Sequence, residues 1–175
     1  MKKICSLLLT KSNIREYGIF SGYASVFNVI DRQNDIIKPG AFSDTIKTCK
    51  KVMFLWQHNK NKPIGKIINM IEDNFGLYIT VKLILEIKKA EEVYLMIKKG
   101  VINSLSIGYQ IIDYYIDKNS GARVIEKLDL WEVSLVTFPS NTQAQITNIK
   151  NTSEEQQLKI LNSTITKAQL ILHKF

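Results

Sequence analysis

A chain of 175 residues with 45% hydrophobic, 23% charged and 9% aromatic side chains can bury one sizeable core and is neither disordered nor low in complexity. Its 24 basic and 16 acidic side chains leave a net charge of +8, but the lysines are scattered and not interleaved with aromatic residues, so solvated faces are expected in place of a specific nucleic-acid platform. The 2 cysteines and 2 histidines exclude a disulfide-built fold and a zinc cluster, and the apolar run Ile4–Leu9 is too short for an export signal or a membrane span. The expected class is a soluble, intracellular protein with no membrane partner.

In chain order, Ile4–Leu9 reads as a first strand. Gly18–Phe27 is a second, rich in aromatic and β-branched residues, with Gly22 marking a bend or a close approach to another backbone. A polar loop from Asp31 to Asp35 leads through Ile36 and Ile37 to the turn at Pro39–Gly40. Phe42, Ile46 and Cys49 at helical spacing then predict a short helix at about residues 41–50. Lys51–His58 has the density of a buried strand and puts His58 at its end, before a loop at Asn59–Pro63. Ile64–Met70 and Phe75–Leu85 form a hairpin about Glu72–Asn74. Ala90, Val93, Tyr94 and Ile97 mark one stripe of a helix over 88–99, closed by Gly100.

Two further strands follow at 102–115 and 124–138, separated by the turn-rich segment 117–121 and ended by Pro139–Asn141. After Gln143 the composition turns to Asn, Thr, Gln, Lys and Ser, and a C-terminal helix is expected at about 153–173. Ser153 and Gln156 would form its capping box, and Leu158, Leu161, Ile165 and Leu172 a loose apolar stripe. The fold class is therefore mainly β with flanking helices (α+β): six or seven strands, two internal helices and a helical tail. Closure into a barrel is favoured because it removes exposed edges.

Three residues suggest chemistry. His58 stands where an apolar strand gives way to a polar loop. Strand alternation puts Ser104, Ser106 and Gly108 on one small, polar face, opposite Leu105, Ile107 and Tyr109. A second alternation sets Glu132 and Ser134 opposite Trp131, Val133, Leu135 and Thr137. Singly, each has a structural reading: a hydrogen-bonded histidine, a solvent-facing serine, an edge-strand charge. Together, a hydroxyl, an imidazole and a carboxylate on neighbouring strands are the parts for acyl transfer. Gly108 would leave room for a substrate backbone. There is no Gly-x-Ser-x-Gly elbow, phosphate-binding loop or HExxH motif. Asp31 and Asp35 read as turn formers and not as metal ligands; no cofactor and no metal are expected.

The chain resembles the caudoviral prohead (capsid maturation) serine proteases, which are distantly similar to herpesvirus assemblin. The resemblance runs from about Gly18 to Ala144. It rests on Gly22–Phe27 followed by Asp31, Asp35 and Pro39–Phe42; on Phe54–His58 with Pro63–Gly65; on Leu105–Tyr109; and on Leu130–Asn141 with Ala144. It implies an assemblin-like β-barrel over residues 1–148, with 149–175 as a helical tail or linker. The implied activity is that of a serine endopeptidase inside the assembling prohead, in the cytoplasm of a bacterial host. Its substrates would be scaffold protein or the scaffold-like extension of the major capsid protein, and also the enzyme itself. His58 matches the family's base, Ser106 its nucleophile in the Ser-Ile-Gly slot, and Glu132 the third position, with Asp129 as the alternative. Ser140 stands where relatives commonly have Ala. Analogy with assemblin adds a homodimer or higher oligomer, and the rival reading is an inactive capsid-assembly module with the same barrel.

Overall fold

The computed structural model describes residues 18–149. The strand expected at Ile4–Leu9 and the helix expected at 153–173 lie outside them. In chain order the elements are β1 (Ile19–Val26), β2 (Asp35–Ile37), α1 (Ser43–Lys47), β3 (Met53–Trp56), β4 (Asn59–Glu72), β5 (Gly76–Leu83), α2 (Lys88–Lys98), β6 (Ser104–Ile116), β7 (Arg123–Val136) and β8 (Ile146–Ile149). The 8 strands make one curled sheet in the order β2-β7-β3-β4-β5-β1-β8, and β6 pairs with the other edge of β7. Pairing is antiparallel except where β7 runs parallel to β2 and β3.

The curl closes on itself. The Leu105 N–H donates to the Ala144 carbonyl at 2.9 Å and the Ile146 N–H to the Asn103 carbonyl at 2.8 Å, so the start of β6 meets the segment entering β8. This seam satisfies backbone groups that an open sheet would leave exposed. Gly22 lies beside it on β1: a Cβ there would sit 2.3 Å from the Gln145 carbonyl oxygen, which is the close backbone approach expected of this glycine.

Apolar side chains that alternate along the strands fill the interior. Phe20 of β1 and Phe54 of β3 meet edge to face at 5.7 Å, and both are almost wholly buried. The predicted stripe of α2 holds residue for residue, since Ala90, Val93, Tyr94 and Ile97 are its buried positions. The first helix is shorter than the predicted 41–50. Ala41 and Phe42 are buried before it begins, and Cys49 takes a left-handed φ of 51° that ends it. Among the described residues the strands number 8, where the sequence pattern predicts six; the two it misses, β2 and β8, are short elements of three and four residues that no apolar alternation announces.

Two local departures from the predicted pattern shape the rest of the molecule. The hairpin between β3 and β4 has no polar loop at 59–63. Trp56 pairs with Asn59, leaving Gln57 and His58 as a two-residue turn with φ of 54° and 55°. Two positive φ values are the signature of the hairpin turn whose twist matches its strands, a turn usually built from Asn and Gly. The second departure lies on β7, where Gly108 of β6 opposes Glu132 but Tyr109 opposes Leu130. Trp131 is therefore an extra residue, a bulge, and the inward face switches from Leu128 and Leu130 to Val133 and Leu135 across it. Trp131 does not share the face of Val133 and Leu135, as strict alternation predicted; it is 48% exposed.

Candidate active site

The turn and the bulge both deliver side chains to one place. The turn lifts His58 off the end of β3, and the bulge points Glu132 outward from β7 beside it. Because β3 and β7 are parallel neighbours, with Trp56 opposite Leu135, imidazole and carboxylate come within contact. His58 Nδ1 lies 2.6 Å from Glu132 Oε1. The other carboxylate oxygen accepts a hydrogen bond from the Ser134 hydroxyl at 2.6 Å, and that hydroxyl accepts the His58 backbone N–H at 3.1 Å. The Glu132 side chain is 13% exposed and that of His58 46%.

The hydrogen bond to Glu132 raises the His58 pKa above its ordinary value, against an opposing push from partial burial. With Glu132 accepting at Nδ1, that nitrogen holds the proton and Nε2 is left as the basic atom. Ser106 sits across β6 from Ser134 in the sheet register. It lines the same groove as His58, together with Gly108, Tyr109 and Arg123. Ser106 is 6% exposed, so it is shielded and not solvent-facing, while Ser104 and Gly108 on the same face are partly buried. No hydrogen bond joins Ser106 to His58 among the described residues. Such contacts often tighten only when substrate closes the site.

Gly108 has a use that its place on the strand does not announce. A Cβ there would lie 2.4 Å from Glu132 Oε1, so this glycine makes room for the carboxylate, and it also lines the groove. Asp129, the alternative third member, is held elsewhere by Lys50 at 2.5 and 2.6 Å and by the Trp131 indole N–H at 2.9 Å. Ser104 bonds Asn103 at 3.3 Å and borders the seam. The structure thus brings His58 and Ser106 to one groove, with Glu132 against the His58 ring, and leaves Asp129 and Ser104 outside it. Sequence reading placed Ser134 on the face of Glu132 but gave it no task. A hydroxyl two residues from a carboxylate on a strand was the available signal.

Behind the groove, Asp35 anchors two of its lining residues, Tyr109 and Arg123. It is 1% exposed, is clamped by Arg123 through Nε at 2.7 Å and Nη2 at 2.8 Å, and accepts the Tyr109 hydroxyl at 3.0 Å. Burial, with the neighbouring Asp35 charge, pushes the Tyr109 hydroxyl well up, so it stays a donor. Asp31 is a turn former, as expected: its Oδ1 accepts the Gln33 and Asp35 N–H groups at 2.8 and 2.9 Å. Asp35 is more than that, since it ties β2 to β6 and β7. A second, more enclosed hollow shares Ser106, Ile107 and Tyr109 with the groove and reaches Ser25, Asp31 and Asn141. Among the described residues no group of three or more His, Cys, Asp or Glu could hold a metal ion. None of their helices is long and apolar enough to cross a membrane.

The chain is 36% identical over 139 residues to a prohead protease of Enterobacteria phage HK97, covering 77% of this chain and 61% of that protein. It is 30% identical over 159 residues to a capsid polyprotein of Pseudomonas phage PAJU2, covering 87% of this chain and 23% of that one. The chain therefore spans less than two thirds of the length of these relatives. Among solved structures, the KSHV protease in complex with a hexapeptide phosphonate inhibitor shares the fold. The TM-score is 0.56 at 12% identity, over 85% of this chain and 76% of that one. The sequence profile of the caudovirus prohead serine proteases matches residues 7–159, and the chain belongs to that family.

Proposed function

We propose that this chain is the serine endopeptidase of a phage or prophage capsid, acting inside the assembling prohead in the host cytoplasm. It would cleave scaffold protein or a scaffold-like extension of the major capsid protein, and also itself. The observation that carries the reading is the 2.6 Å contact of Glu132 with Nδ1 of His58, which lines a groove together with Ser106. Kinship with a capsid polyprotein fits a capsid precursor as substrate. The protease domain is assigned to residues 1–148, extended by one residue to take in the end of β8 at Ile149, and the segment after it to a tail or tether.

In the mechanism, His58 Nε2 takes the proton of Ser106 Oγ as that oxygen attacks the scissile carbonyl. The imidazolium formed is stabilised by Glu132 and returns the proton to the leaving amine, leaving an acyl-enzyme on Ser106. Water, activated by the same nitrogen, then releases the acid and restores the serine. Co-assembly of the protein with its cognate scaffold and capsid precursor tests the proposal. Intact-mass analysis should show truncated precursors with wild type and uncleaved ones with Ser106→Ala. Uncleaved precursors with both, in assembled particles, would favour the inactive assembly module.

A further inference from the structure

Ser134 is wholly buried, at 0% exposure, and its hydroxyl has a single proton to donate. That proton goes to Glu132 Oε2 at 2.6 Å. Its lone pairs face the His58 N–H, which donates at 3.1 Å. The residue also sits between the two strands that matter: in the register it pairs with Ser106 of β6 on one side and with Leu55 of β3 on the other. One side chain thus touches the carboxylate and the backbone of the base, while its own backbone faces the nucleophile's strand.

The groups it holds would not hold themselves. Gln57 and His58 both lie in the left-handed region, where the Cβ of a non-glycine residue crowds the following carbonyl oxygen. Side-chain and backbone bonds keep the turn there. The Gln57 N–H donates to the Leu135 carbonyl at 3.0 Å and its amide to Thr137 Oγ1 at 2.7 Å. Ser134 supplies the bond to His58 itself. A carboxylate joined only to the imidazole could rotate about its last torsion, which is broad for glutamate. A second bond at Oε2 fixes its plane.

We propose that Ser134 is a positioning residue of this site: it locks the Glu132 carboxylate and the His58 backbone in one arrangement, so that Nδ1 keeps its proton and Nε2 faces the Ser106 side. This rests on the reading of His58, Glu132 and Ser106 as the reacting set. Glu132 from β7 is the charged group that acts on the ring. Tyr109 from β6 and Arg123 from β7 line the same groove, and Arg123 is engaged by Asp35.

The chain has 2 histidines, so ring resonances in an NMR titration are readily assigned with a His58→Gln control. The same samples give the rate of labelling by a fluorophosphonate, per active site, as a function of pH. Ser134→Ala and the size-matched Ser134→Cys should move the His58 titration down toward the ordinary imidazole value and slow labelling about 10- to 100-fold. Ser134→Thr, which keeps the hydroxyl, should restore both. A purely structural role would lower the melting temperature while leaving the titration and the labelling rate of folded protein unchanged, and that outcome overturns the proposal. If instead Glu132→Gln leaves the His58 titration and labelling as in wild type, the reading of the reacting set fails. A Glu132→Gln effect without a Ser134→Ala effect removes Ser134 alone.

Discussion

At the scale of single residues, the account turns on how little separates a structural histidine from a base. His58 is half-exposed, but it has one ring nitrogen committed to a shielded carboxylate. The raised His58 pKa has two consequences of opposite sense. The base must be neutral to take a proton, so the acid limb of kcat/KM should lie above the free-imidazole value of about 6.5. Glu132→Gln should bring that limb down and cost less turnover than His58→Ala, which a pH–rate series on a cleavable precursor peptide measures. The stability from the pair runs the other way. A group whose pKa is raised on folding stabilises fully below its unfolded pKa and loses that contribution as pH rises through the folded one. The melting temperature gap between wild type and Glu132→Gln should therefore be wider near pH ~5.5 than near pH ~9. Gly108 gives a sharper test. The Cβ of Gly108→Ala would fall 2.4 Å from Glu132 Oε1 and 3.0 Å from its Cδ, and the far end of a side chain can yield where backbone cannot. The variant should keep its fold and lose about 10- to 100-fold in activity by displacing the carboxylate, and circular dichroism with kinetics separates the two.

At the scale of elements, the strands that carry the site were legible because apolar residues alternate along them and turns punctuate them. The α2 stripe was legible for the same reason at helical period. The bulge at Trp131 was hidden: Leu128 and Leu130 against Val133 and Leu135 is a change of parity, and a reader who assumes one parity along the strand puts Trp131 inside. The turn at Gln57–His58 was hidden because neither residue advertises a positive φ; it is held by bonds to Leu135, Thr137 and Ser134, residues some 80 positions away in the chain. His58, Ser106 and Glu132 could be named from sequence and family resemblance. The 2.6 Å contact and the task of Gly108 depend on register, which sequence does not print. The seam at Gly22 makes an element-scale prediction. Gly22→Ala would drive a Cβ to 2.3 Å from the Gln145 carbonyl oxygen and 2.6 Å from the Ile146 Cα, both backbone atoms. It should cost about 3 kcal/mol or more, or prevent folding, as read from a urea midpoint, whereas Ser21→Ala next to it should be mild.

For the whole molecule, the barrel is closed by backbone bonds at the seam and braced across the groove by the Asp35 clamp. Arg123, Tyr109 and Asp35 come from three strands, so the groove wall is a tertiary object and cannot form in a fragment. Removing the cation strands a carboxylate that is 1% exposed. Arg123→Met should cost about 3–5 kcal/mol of unfolding free energy. The double change Arg123→Met with Asp35→Leu should recover much of it, measured by denaturant titration. The +8 net charge has no role in this account beyond solubility. In the proposed site one serine reacts because one histidine, set by one carboxylate, faces it. The most direct measurement is peptide mapping of protein labelled by a fluorophosphonate, in wild type, His58→Ala and Ser106→Ala. A single adduct on Ser106 is expected in wild type and none in either variant. An adduct on Ser104, or labelling of Ser106 that persists unchanged without His58, would contradict it.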